Sequence, residues 1–67
     1  MDQRDRLFAD IAARLELLTR EQIATCARLS DSAQKRLGDV AIELGFINDD
    51  EAQLIRAQGQ IHVPRQS

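Results

Sequence analysis

The stretch RLGDVAIELG, residues 36–45, decides how this chain is read. Leu37, Val40, Ala41 and Leu44 follow the i, i+3, i+4, i+7 spacing of a helix with one apolar side. Gly45 then stands where such a helix often ends in a left-handed residue, a conformation glycine adopts without strain. The ten residues admit three readings. They are an anion-binding turn opening a helix, the first half of a DNA-reading helix-turn-helix, or one structural repeat closed by a glycine.

Sliding the chain on itself by 29 residues favours the repeat. FADIAARLELLTREQIATC, from Phe8, then lies over LGDVAIELGFINDDEAQLI, from Leu37. Asp10 falls on Asp39, Ala12 on Ala41 and Leu15 on Leu44. Ile11 meets Val40, Leu17 meets Phe46, Leu18 meets Ile47, and Thr19 meets Asn48. In the first copy Phe8, Ile11, Ala12 and Leu15 form the inward stripe. Glu16 replaces the glycine there, so that turn is expected to differ or to be strained. TREQ, from Thr19, reads as a capping box, and NDDE, from Asn48, has the same geometry with an Asn cap. Ile23, Cys26 and Ala27 face inward on the following helix of the first copy. In the second copy Ala52 and Ile55 keep that register, while Leu54, Ala57 and Ile61 form a competing stripe that a partner can cover. SDSAQK, from Ser30, reads as a polar link. GQIHVPRQS, residues 59–67, reads as a frayed, flexible tail punctuated by Gly59 and Pro64. The expected fold is all-α. It has four short helices as two tandem helical hairpins, in a single domain over 1–58, with repeats near 6–29 and 36–58.

Composition narrows the function. A chain of 67 residues buries only about 60% of the surface its unfolded form exposes, so its stability margin is thin. Cys26 is the only cysteine, which excludes an internal disulfide. Cys26 and His62 lie in different segments, so no metal site is expected. Homo-oligomerisation remains as a stabilising route. No apolar run approaches a membrane span, and MDQRDRLF lacks the apolar core of a secretory signal. A cytoplasmic location is the expectation. The net charge of −2, with both signs interspersed, does not suggest a nucleic-acid binder. No nucleophile–base pair, glycine-rich phosphate loop or metal constellation is present, so no catalytic activity and no cofactor are expected.

RLGDVAIELGFINDDEAQLIRAQ, from Arg36, resembles the Arg-Leu-Gly motif of MshEN-type domains. These are the N-terminal domains of type II secretion and type IV pilus assembly ATPases, with relatives in other bacterial signalling proteins. The resemblance spans about residues 6–58. It implies a helical module with two such motifs in tandem, which in some members hold cyclic di-GMP. Arg36, Leu37, Gly38 and Gly45 match the second motif. The first is degenerate, with Leu7, Phe8 and Ala9 at the Arg-Leu-Gly positions and Glu16 at the glycine. Physics agrees at one point, because free N–H groups at a helix start favour phosphate and an arginine can add a bidentate contact. The bland reading is an exposed Arg36 beside a Gly38 that relieves crowding where the hairpins meet.

Three functions are weighed. The first is a non-catalytic interaction or adaptor module that docks on a protein partner or on a second copy through Leu54, Ala57 and Ile61. The alternative is a cyclic di-GMP receptor using Arg36, Leu37, Gly38 and Gly45. DNA binding is the weakest, because Asp49, Asp50 and Glu51 would meet the polyanion at the start of the recognition helix. Capping and dipole compensation account for those carboxylates. Cys26 reads as a small buried hydrophobe.

Overall fold

The computed structural model describes residues 2–59. Over them the chain forms four helices: α1 (Gln3–Arg14), α2 (Arg20–Ala33), α3 (Leu37–Glu43) and α4 (Asp49–Gly59). No strand occurs among the described residues. The starts of α2 and α4 follow the expected capping chemistry. The Gln22 N–H donates to Thr19 Oγ1 at 3.1 Å, and the Thr19 N–H donates to Gln22 Oε1 at 2.9 Å. At α4 the same reciprocal pair joins Asn48 and Glu51, at 2.8 and 2.9 Å. Each pair satisfies two helix-end donors. α1 has a cap that periodicity did not reveal, the Arg4 N–H donating to Asp2 Oδ1 at 2.7 Å.

The repeat holds at the level of single backbone bonds. After α1, the Glu16 N–H donates to the Ala13 carbonyl at 3.0 Å and the Leu17 N–H to Ala12 at 2.9 Å. After α3, Gly45 donates to Ile42 at 3.0 Å and Phe46 to Ala41 at 2.9 Å. Both are Schellman turns, offset by the same 29 residues. The first turn therefore does not differ from the second. Glu16 adopts φ 60° where Gly45 has φ 79°, so the strain expected for Glu16 is real and the backbone path is conserved.

Three expectations need correction. Leu15 and Leu44 close the predicted inward stripes, yet they are 40% and 42% exposed. Each is the C-cap residue of its helix, where the chain has begun to turn away from the core. The polar link is also shorter than Ser30–Lys35. α2 continues through Ala33, and only Gln34, Lys35 and Arg36 connect it to α3. Ser30 sits buried inside the helix, because its hydroxyl donates to the Lys35 carbonyl and is satisfied there. Gly59, read from sequence as the first residue of the tail, is still in α4, and residues 60–67 lie outside the described residues.

The two helix–turn–helix units pack on each other more than within themselves. α1 lies against α4 and α2 against α3, with further contact between α1 and α3. Exchanging the halves by a local twofold turns the α1–α4 pairing into α3–α2, so both broad interfaces are accounted for by one operation. The core draws matching positions from each half: Phe8 and Leu37, Ala12 and Ala41, Leu18 and Ile47, Cys26 and Ile55. Leu18 and Ile47, from the apolar pairs after each turn, tuck the connections onto this core.

Candidate functional site: a groove between the halves

α1 begins five residues earlier in the repeat than α3, because Phe8 is the equivalent of Leu37. Its extra turn, Arg4, Asp5 and Leu7, projects as a wall without counterpart. Together with the start of α3 and the end of α4 it encloses an open groove of about 620 Å³. Leu7 and Ile11 supply apolar surface over the buried Phe8 and Ile55; Arg4, Arg36 and Arg56 bring cationic side chains, and Asp5, Gly38 and Gly59 complete the lining. The size lies within the range of small-molecule and peptide-anchor pockets.

Gly38 is where the halves come closest. A Cβ there would stand 2.9 Å from Phe8 Cζ and 3.2 Å from an Arg56 guanidinium nitrogen. The glycine thus lets the Phe8 ring lie on the start of α3. The Arg56 guanidinium sits 5.9 Å from the centroid of that ring, within cation–π range. The same guanidinium reaches Asp39 Oδ1 at 3.4 Å.

The arginines are largely engaged within the chain. Arg36 spans two carboxylates of α1, Asp2 Oδ2 at 3.3 Å and Asp5 Oδ1 at 3.2 Å. Asp5 is buried, so its pairing with Arg36 supplies the partner that a buried carboxylate requires. The Arg4 N–H bond holds the Asp2 carboxyl below the ordinary carboxylate range, with Arg36 adding to the effect. A second depression, about 350 Å³, gathers Lys35, Asp39, Ile42, Glu43 and Asp49. There the Lys35 ammonium donates to Glu43 Oε2 at 2.8 Å.

Of the residues singled out from sequence, Arg36 and Gly38 meet in the groove. Leu37 is completely buried and belongs to the core. Gly45 lies in the turn after α3, outside the groove lining, and is needed for its positive φ alone, since nothing stands within 4 Å of a Cβ there. Leu54 and Ala57 are exposed on α4, also outside the lining, and Ile61 lies outside the described residues. Sequence reasoning missed Arg4, Asp5, Leu7 and Arg56 as wall residues. The one available signal was Asp2, a cap-type residue that would have extended α1 toward the N-terminus. Cys26 is buried in the core, which pushes its thiol pKa up. Among the described residues no group of His, Cys, Asp or Glu is arranged to hold a metal ion, and no helix is long and apolar enough to cross a membrane. Comparison with protein-family models, curated proteins and solved structures gave no match.

Proposed function

We propose that this chain is a non-catalytic interaction module whose groove receives an apolar segment of a protein partner. The observation that supports the reading is the division of labour in the groove. Its accessible apolar surface comes from Leu7 and part of Ile11, lying over the buried Phe8 and Ile55, while Arg36 and Arg56 already have carboxylate partners. An anionic ligand would have to displace those carboxylates, whereas an apolar side chain would not. Leu7 is 47% exposed and tolerates a charge without disturbing the core. A partner captured by the wild-type protein should therefore be lost by Leu7→Asp and kept by Leu29→Asp, an exposed change outside the groove lining. Equal capture by all three proteins removes the groove from the account.

A second reading is favoured by one observation. The Arg56 guanidinium and the Phe8 ring meet at Gly38, and Arg4 and Arg36 line the same groove, a constellation compatible with a nucleotide. The resemblance to MshEN-type domains points to cyclic di-GMP, with Arg36 as its principal contact. Calorimetric titration separates the readings: saturable heat that Arg36→Ala abolishes supports the nucleotide, and no heat at high micromolar ligand removes it.

A further inference from the structure

We propose that the chain exchanges halves with a second copy of itself, the Gln34–Arg36 link straightening so that α2 and α3 join into one helix. The link is where local sequence and observed structure disagree. Ala33, Gln34, Lys35, Arg36 and Leu37 are all strong helix formers. None is the Gly, Asn or Pro that ordinarily stops a helix. Gln34 nevertheless adopts the left-handed region, φ 57°, which strains any residue with a side chain. The new start is equally unmarked: Arg36 is the N-cap of α3 and makes no side-chain cap bond. Both turns inside the units differ from this, because Thr19 and Asn48 restart their helices with full capping boxes.

The break is held by Ser30, whose hydroxyl and carbonyl both bind Lys35, by the pairing of the halves and by Arg36 on Asp2 and Asp5. In an exchanged dimer, α1 and α2 of one copy pack on α3 and α4 of the other through the same faces. The core and the Arg56–Asp39 pair are kept, and only the link, with the Arg36 and Lys35 contacts it carries, is rebuilt. Gly38 lies within a helix in both states, so its low helix propensity cancels. A hinge strained against its own propensity is the recognised setting for exchange. The joined helix, Arg20 to Glu43, would be about 36 Å long at 1.5 Å per residue. Each groove would then be composite, with Asp5 and Phe8 from one copy facing Ile55 and Arg56 of the other. The inference does not depend on what the groove binds.

The test is light scattering after gel filtration on protein refolded from denaturant at micromolar to millimolar concentration. Wild type and Gln34→Ala should show a dimer that grows with concentration and is more helical by circular dichroism. Gln34→Gly relieves the left-handed strain and disfavours the joined helix. With two links per dimer and about tenfold at each, its dissociation constant should rise about a hundredfold. Monomers at every concentration for wild type and Gln34→Ala would overturn the proposal. So would a dimer equally tight in Gln34→Gly, which would mark side-by-side association.

Discussion

Single residues decide how closely the halves meet. Gly38 faces the Phe8 ring at a distance no Cβ tolerates without movement of the ring. Gly38→Ala gains helix propensity, about 0.5–1 kcal/mol, but forces the ring off its seat, at about 1–3 kcal/mol. We expect a net loss of about 1–2 kcal/mol in urea unfolding, together with a changed groove. Glu16 and Gly45 make the opposite comparison, the same turn with and without a side chain. Glu16→Gly should stabilise by about 0.5–1 kcal/mol, the left-handed penalty less the entropy glycine loses on folding. Gly45→Ala should cost about 1 kcal/mol even though its Cβ would touch nothing. Equal midpoints for these two turn variants and wild type would mean that neither turn carries the left-handed penalty.

Helices were legible wherever the signal was local. The capping residues at Thr19 and Asn48, the apolar spacing from Phe8 and Leu37, and the glycine after Leu44 each report chemistry within one or two turns of chain. Truncating either cap, Thr19→Ala or Asn48→Ala, should cost about 1 kcal/mol, read from the same unfolding curves. The α2–α3 boundary was misplaced for the opposite reason. Ser30 has the composition of a loop, yet it lies inside α2, satisfied by the Lys35 carbonyl. Gln34 has the composition of a helix, yet it ends one. Both are tied to the bonds between Ser30 and Lys35 that close the end of α2, which periodicity does not report. The site was legible only in part for the same reason. Arg36 and Gly38 lie in one motif, but their partners Asp5, Phe8 and Arg56 come from other helices. Those pairings depend on how the repeats face each other.

Over the described residues the chain is a duplicated unit closed on itself, elongated at 39 × 21 × 18 Å. Equivalent positions fill one core, and the asymmetry that matters is the extra turn of α1, which opens a groove on one side only. Burial of Cys26 ties the thiol to the integrity of that core. Its raised pKa means the folded form resists losing the proton. The associated stability is therefore present below the ordinary thiol range and lost as pH climbs above about 8.5 toward the folded value. A thiol reagent at neutral pH should modify Cys26 slowly in the native protein and at once in urea; equal rates would show that the thiol is not enclosed. The central claim is that the halves meet across Phe8 and Gly38 to build the groove, and nuclear Overhauser contacts test it most directly. The structure predicts strong cross-peaks from the Phe8 ring to the Gly38 α-protons and from the Leu7 and Ile11 methyls to Gly59. Four intact helices with neither set of cross-peaks would contradict the pairing of the halves, and the groove with it.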